Sequence, residues 1–265
     1  MLHAGWNLAV KQSTADRFLT LWGQFTIAAI LCAPIVLFVT AKGDLPARSW
    51  VFVAISGAVH LPYVVFLARA YDHGEFSLVY PIARGGGAML AAIGGVLFLG
   101  DVLGLARALG LGIIGGGLFL LAGIRRSPAL TSALIVAVTI GVYSVSDAHG
   151  IRTSNAVYAL ATHLGTAVST TTYGLLTGRA KGMRSTLVER WKPLSFAALA
   201  VVLTYGLVQL AFRSAPVGYV SGLRESSVLL AALVGWRQLG DTGGRRRIIA
   251  AGTVVVGIVV LIAGR

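Results

Sequence analysis

The chain has 265 residues, of which 56% are hydrophobic and only 12% are charged, and its mean hydropathy is +0.82. A soluble domain usually carries about 25% charged residues, so too few polar side chains remain here to cover a soluble globule. This composition excludes an ordinary soluble domain and predicts a polytopic, all-α integral membrane protein. We expect it in the cell membrane, which would be the inner membrane of a Gram-negative cell.

The net charge of +13 does not indicate nucleic-acid binding, because the basic residues cluster between apolar runs, as in "RAKGMRSTLVERWK" and "GGRRR". Loop charges that set the orientation of membrane helices explain this pattern better. Cys32 is the single cysteine, so an internal disulfide is excluded and no cysteine cluster indicates a metal site. No cofactor is predicted.

The first segment, "MLHAGWNLAVK", is apolar to Val10 and then turns polar. Ten helical residues span only about 15 Å, which is half of a bilayer core. We expect this segment to be the second half of a membrane helix whose first half is encoded upstream of Met1. A short interfacial helix is the alternative.

Nine longer apolar runs follow, and each is long enough to cross a bilayer core as a helix. Continuous apolar runs favour helices over barrel strands, which would alternate in polarity. The predicted spans are 18–40, 50–71, 77–99, 103–124, 129–148, 155–177, 194–213, 217–237 and 246–264. With the truncated first helix, the design has ten spans.

Two of these spans carry the same pattern. "YPIARGGGAMLAAIGGVLFLGD" and "SGLRESSVLLAALVGWRQLGD" each have one arginine near the start and end in Leu-Gly-Asp, with the same spacing from Arg84 to Asp101 and from Arg224 to Asp241. In that register, Gly117 also falls on Gly257. The chain is therefore predicted to contain two copies of one unit, residues 1–126 and 127–265.

Each copy contains five predicted spans. Because five is odd, the second copy must enter the membrane from the opposite side to the first. Inverted repeats of this kind are typical of secondary transporters, which bind substrate near the midplane between the copies and open alternately to either side.

Three motifs carry a resemblance to a known family: "HAGWNLAVK" at the start, "AYDHGEFSLVYPIARG" at the third-to-fourth span and "LRESSVLLAALVG" in the ninth. They resemble the EamA-type branch of the drug/metabolite transporter superfamily. The resemblance implies ten helices in two five-helix repeats, and transport of metabolites without ATP. Members commonly show Leu-Gly-Glu where this chain has Leu-Gly-Asp, so the acidic residue is kept.

Polar side chains inside the predicted spans are the candidate site, because charge in hydrocarbon is costly. Arg84 and Arg224 lie about eight residues into their spans, about 12 Å along the helix axis. They either face a central cavity, where they bind an anionic group or a carboxylate partner, or lock the repeats together by donating to backbone carbonyl groups. Glu225 can serve as a proton or cation site. The candidate substrate-binding residues are Trp6, Asn7, Tyr80, Arg84, Tyr143, Asp147, Arg224 and Glu225.

The remaining polar residues have plainer interpretations. For Asp147 a solvated position near a helix end is favoured. His60 and His163 are expected to be hydrogen-bonded structural residues, with a role as proton relays as the alternative. Asp101 and Asp241 are expected to cap the helices that follow them.

The function predicted from the sequence is a secondary transporter of small, for example amino-acid-like, metabolites. Its expected partners are a small-molecule substrate, the lipid bilayer and protons as a coupling ion, but not nucleic acid. The chain has no Gly-Lys-Ser/Thr phosphate loop, so ATP-driven pumping is not expected. The alternative is an intramembrane lipid-modifying enzyme, which would need clustered acid, base or metal ligands.

Overall fold

A computed structural model describes residues 7, 10, 11, 16–102, 104–122, 127–225 and 244–264. Within these ranges the regular structure is helical and no β-strand is present. Asn7, Val10 and Lys11 are helical positions ahead of the first complete helix. The complete helices are α1 (Arg17–Ala41), α2 (Ser49–His73), α3 (Phe76–Leu99), α4 (Leu105–Ala122), α5 (Pro128–Arg152), α6 (Tyr158–Leu176), α7 (Ala180–Phe212), α8 (Val217–Arg224) and α9 (Gly244–Ala263).

These helices coincide with the predicted spans, apart from shifts at their ends and the last part of the span 217–237, which lies outside the described residues. Five of them, α1, α2, α3, α5 and α7, are long and apolar enough to cross a membrane. In α4 and α9 the apolar segments are shorter, Leu105–Leu118 and Ile248–Ala263. Helix α6 contains several threonine residues and a serine, which lower its hydropathy. Length and composition therefore support five of the nine predicted spans.

The basic segment that opens α7 corrects one expectation. Residues 180–192 were expected to form a charged loop, but they are largely helical and lead into the apolar part of α7 across a kink. The backbone leaves helical geometry at Arg190, where φ is −121° and ψ is 17°. Pro193 follows, and a proline inside a helix removes one hydrogen bond and kinks it. The first part of α7 buries Met183 and Thr186 and exposes Lys181 and Arg184, as an amphipathic helix does.

The chain forms two compact units that do not follow the sequence copies. The first unit comprises Phe66–Val145 and Ala215–Arg265, and the second comprises Leu2–Val65 and Ser146–Ser214. Each unit therefore takes segments from both of the copies predicted from the sequence. Helices α2 and α5 each contribute residues to both units.

In the first unit, α4 packs against α9 through glycines. A Cβ atom added to Gly110 would lie 2.7 Å from the carbonyl oxygen of Gly257, and one added to Gly117 would lie 3.0 Å from that of Ala250. In the register that places Arg84 on Arg224, Gly110 corresponds to Ala250 and Gly117 to Gly257. The register predicted from the sequence therefore maps each of these two contacts onto the other. Small residues at such crossings let membrane helices approach closely.

In the second unit, α2 and α6 approach backbone to backbone. A Cβ atom added to Gly165 would lie 2.4 Å from the carbonyl oxygen of Val53, and one added to Gly57 would lie 2.4 Å from that of Gly165. Helix α1 packs against α6 and α7. The indole Nε1 of Trp22 donates a hydrogen bond to the Thr171 hydroxyl at 2.8 Å, so the contact between α1 and α6 is polar as well as apolar.

The Leu-Gly-Asp sequence at the end of α3 has a defined structural role. Gly100 adopts a φ of 69°, in the left-handed region that favours glycine, and so ends the helix. Asp101 was expected to cap the helix that follows it. In the structure, its Oδ2 accepts a hydrogen bond at 2.7 Å from the backbone N–H of Val217, at the start of α8. Asp241 lies outside the described residues.

The close contact of α4 with α9 predicts opposite effects for two alanine substitutions in one helix. In Gly257→Ala the new methyl group would lie 2.7 Å from both the Gly110 carbonyl oxygen and Ile114 Cγ1, whereas at Gly252 no atom lies within 4 Å. We expect Gly257→Ala to lower the melting temperature in detergent, with a cost of about 1–3 kcal/mol. Gly252→Ala should leave it unchanged or raise it, because alanine is the better helix former. Equal melting temperatures would contradict the packing.

Candidate functional site

A buried ion pair lies in the first unit. Arg84 of α3 is 3% exposed and Glu225, the residue that ends α8, is 1% exposed. Arg84 Nη2 donates to Glu225 Oε1 at 2.8 Å. The two residues are 141 positions apart and belong to different predicted copies, so the pair joins the two halves of the sequence inside one compact unit. A carboxylate partner was one of the two interpretations offered for Arg84.

The surroundings of this pair are apolar and tightly packed. A Cβ atom at Gly85, next to the arginine, would lie 2.9 Å from Leu118 Cδ2 of α4, and one at Gly222 would lie 2.1 Å from Leu261 Cδ2 of α9. In apolar surroundings the charges of Arg84 and Glu225 attract each other more strongly than in water, but transfer of both charges out of water is itself costly.

The acidic side of the pair has unused hydrogen-bonding capacity. Among the residues that the structure describes, Glu225 Oε2 and the hydroxyl of Ser221 are buried and have no hydrogen-bond partner. Ser221 and Glu225 are four positions apart, which places them on one face of α8. An acceptor and a hydroxyl group are therefore available beside the ion pair, and a ligand with hydrogen-bond donors would satisfy them.

Three other candidate residues of this unit lie on α3, α5 and α8. Tyr80 and Tyr143 are both buried. Arg224 is half-buried at the last position of α8, beside Glu225. Pro81 lies within the second turn of α3.

In the second unit, the structure corrects the expectation for Asp147. It is not at a solvated helix end: it lies inside α5 and has no exposed surface. Its carboxylate accepts hydrogen bonds from three hydroxyl groups, Ser56 at 3.1 Å, Tyr158 at 3.0 Å and Tyr205 at a short distance. These donors come from α2, α6 and α7, so four helices meet at one carboxylate. We call these four residues the Asp147 cluster.

His60 adjoins the Asp147 cluster one turn along α2 from Ser56. Its Nδ1 lies 2.8 Å from the Ser56 carbonyl oxygen and 3.3 Å from the Ser56 hydroxyl. Since a carbonyl oxygen can only accept, Nδ1 carries the hydrogen. The imidazole ring also packs edge-on against Tyr205 and Tyr63, with centroid distances of 6.0 and 5.7 Å. His60 is thus hydrogen-bonded, as expected, but it also contacts a cluster that bears a carboxylate.

A second polar layer follows the first by one helical turn. Gln209 Nε2 donates to the Thr162 hydroxyl at 3.0 Å, and both side chains are buried. Thr162 is four positions from Tyr158, and Gln209 is four positions from Tyr205. In the described part of the chain, Gln209 Oε1 and His163 Nε2 are buried without a hydrogen-bond partner.

Sequence reasoning missed Ser56, Tyr158 and Tyr205. The available signal was the recurrence of polar residues four positions apart inside apolar helices, as in Ser56 and His60, which places them on one face. Asn7, a predicted site residue, is buried at 1% exposure, and Trp6 lies outside the described residues. No group of three or more histidine, cysteine, aspartate or glutamate residues suited to a metal ion occurs in the described ranges.

Comparisons with known proteins agree with a membrane transporter. No family model matches the chain. A protein from Sinorhizobium sp, described as an uncharacterized transporter in the cobO 3' region, is 37% identical over 122 residues, which make up 44% of this chain and 82% of the relative. It favours a transporter over the enzyme alternative.

A solved structure, described only as the crystal structure of a protein, superposes on 99% of this chain and 94% of its own with a TM-score of 0.68. The two sequences are 18% identical. At this identity the likeness shows a shared fold and carries no information on the substrate.

The ion pair predicts non-additive effects on stability. Arg84→Met or Glu225→Met alone leaves a buried charge without its partner, so each should cost roughly 3–5 kcal/mol. The double variant removes both charges and should be more stable than either single variant. Melting curves in detergent test this, with Arg184→Met and Glu189→Met as controls at exposed positions. Additive losses in the double variant would show that the two charges do not stabilise each other.

Proposed function

Because the chain belongs to the family of the uncharacterized transporter from Sinorhizobium sp, we propose that it is a secondary active transporter of small metabolites. It works by alternating access, without ATP, and it is a member of the EamA-type branch that its motifs resemble. It resides in the cell membrane as a multi-pass protein. The observation that carries the proposal is the buried pair of Arg84 and Glu225.

A buried ion pair adds little stability to a fold, because desolvation of both groups offsets their attraction. Inside a membrane such residues are rare and mark substrate or ion pathways. Arg84 lies in α3 and Glu225 at the end of α8, so the pair connects the two sequence copies. In the proposed cycle this pair breaks when substrate binds and forms again when the empty site reorients.

The chemistry of the pair defines the class of substrate. Arginine binds a carboxylate through two parallel N–H groups, and the free Oε2 of Glu225 accepts from an ammonium group. A small solute with both groups, such as an amino acid, would replace each partner of the ion pair in turn. Arg224, half-buried next to Glu225, supplies a second positive charge at the same helix end.

The repeat in the sequence supports alternating access. The glycine contacts between α4 and α9 pair Gly110 with Gly257 and Gly117 with Ala250, and the register of the repeat exchanges the two. A two-fold axis between these helices would produce that exchange. Inverted repeats related by such an axis in the membrane plane allow one architecture to adopt two mirrored states, open to opposite sides.

The first experiment identifies a ligand and then tests exchange. Purified protein is screened by thermal shift against amino acids and other small metabolites, and the ligand that stabilises it is used in proteoliposomes. We expect labelled ligand outside to accumulate against unlabelled ligand inside, because a carrier exchanges the two. A channel or an enzyme would give no such counterflow, and its absence with every stabilising ligand would refute the proposal.

A conservative variant tests the ion pair in the same assay. Glu225→Gln keeps the shape of the side chain but removes its charge, so counterflow should fall by at least an order of magnitude when it is measured below the lowered melting temperature that an unpaired Arg84 predicts. The control is Glu189→Gln, because Glu189 is exposed, and it should exchange at the rate of the unsubstituted protein. Undiminished exchange in Glu225→Gln would remove the pair from the mechanism.

A further inference from the structure

Asp147 is a buried carboxylate inside α5, one of the helices that are long and apolar enough to cross a membrane. Its hydrogen bonds come from the hydroxyl groups of Ser56, Tyr158 and Tyr205. Across the described ranges, no lysine or arginine pairs with it, in contrast to Glu225 in the other unit. An ionised carboxylate without a counter-ion is costly in hydrocarbon, and hydroxyl donors compensate only part of that cost.

The donors of the Asp147 cluster suit a group that changes its charge. A hydroxyl both donates and accepts, and its hydrogen rotates freely. When Asp147 is ionised, Ser56, Tyr158 and Tyr205 all donate to it. When Asp147 carries a proton, its own O–H donates and one of the three hydroxyls turns to accept. Both states are hydrogen-bonded without a movement of the backbone, which a lysine or arginine partner would not permit.

The groups that face the Asp147 cluster from each helix are consistent with uptake and release of a proton by Asp147. Tyr158 of α6 and Tyr205 of α7 contact the carboxylate, while His60 of α2 reaches it through the Ser56 hydroxyl. On α5 itself, Arg152 is directed elsewhere, because its Nε donates to the Phe212 carbonyl oxygen at 2.8 Å.

The histidines on α5 and α6, His149 and His163, do not hydrogen-bond to the Asp147 carboxylate. The ring of His149 on α5 packs against Phe52, with a centroid distance of 4.7 Å. His163 of α6 is buried in the second polar layer, next to Thr162 in the chain. Asp147 is therefore the only carboxylate that the described residues place in this cluster.

We propose that Asp147 is the proton-binding site of this protein. Its carboxylate takes up one proton to become a neutral carboxyl group, and the same O–H bond breaks when the proton is released to the other side. The role as a coupling site rests on the transport function proposed above, but the binding of the proton does not. The first copy of the repeat has Trp6 and Asn7 at the equivalent place, so only one copy carries this carboxylate.

Infrared spectroscopy tests the site without a transport substrate. Purified protein in liposomes is titrated between neutral and acidic pH, and the C=O stretch of protonated carboxyl groups is recorded. We expect a band that grows as the pH falls, disappears in Asp147→Asn and persists in Asp101→Asn, which alters a helix-capping carboxylate instead. A band unchanged by Asp147→Asn, or one that does not respond to pH, would overturn the proposal.

A second pair of variants keeps the test decisive if Asp147→Asn fails to fold. Ser56→Ala and Tyr158→Phe each remove one hydroxyl from the carboxylate, and both leave Asp147 in place. The band should then remain but change its frequency, because its hydrogen bonding has changed. A frequency identical to that of the unsubstituted protein in both variants would show that the band belongs to another carboxyl group.

Proton movement then separates this inference from the proposed transport function. Proteoliposomes containing a pH-sensitive dye are given the ligand found by thermal shift. We expect the unsubstituted protein to move protons with the ligand, and Asp147→Asn to exchange ligand without moving protons. Exchange without proton movement in the unsubstituted protein would refute proton coupling at Asp147 but would not contradict the proposed transport function. Absence of all exchange would refute the transporter, while the infrared titration would still decide whether Asp147 binds a proton.

Discussion

The absence of water from a bilayer interior is the constraint on which this structure depends. A charged or polar side chain buried there must find its partners inside the protein, and helices are the elements that already satisfy their own backbone groups. The chain meets this constraint in two different ways. Arg84 and Glu225 neutralise each other in one compact unit, whereas Asp147 is held by three hydroxyl groups in the other.

The two solutions have different chemical consequences. An ion pair is neutral as a whole and can open only if another pair of charges replaces it, which suits recognition of a solute with both signs of charge. A carboxylate among hydroxyls has no fixed charge partner and can be neutralised by a proton. Binding of a solute and binding of a proton would thus use separate groups. Glycine crossings such as that between Gly110 and Gly257 let the helices of the first unit approach each other closely.

Most of the helical framework could be predicted from the sequence, because apolar runs of bilayer length have few alternatives to a helix. The basic segment before Pro193 is an exception: its charges indicated a loop, but one apolar face is enough to keep it helical. Asp101 is another, because it caps α8, which follows more than a hundred residues later. A partner that distant cannot be read from local spacing.

The candidate sites were only partly predictable for the same reason. Arg84 and Glu225 stand out because charges are rare in such a chain, but their pairing depends on how α3 and α8 pack. Ser56, Tyr158 and Tyr205 are unremarkable in composition, and they become a site only where three helices bring them to Asp147. Rarity in the sequence therefore identifies charged residues, while the fold identifies their neutral partners.

The most direct test of the central claim, that the ion pair is part of the transport mechanism, is to exchange its charges. In Arg84→Glu/Glu225→Arg the two charges remain together, so a pair that serves only stability should keep both the melting temperature and counterflow in proteoliposomes. We predict a melting temperature above that of either single charge reversal, with counterflow lost, because substrate would meet each charge on the wrong helix. Counterflow at the rate of the unsubstituted protein would contradict the account.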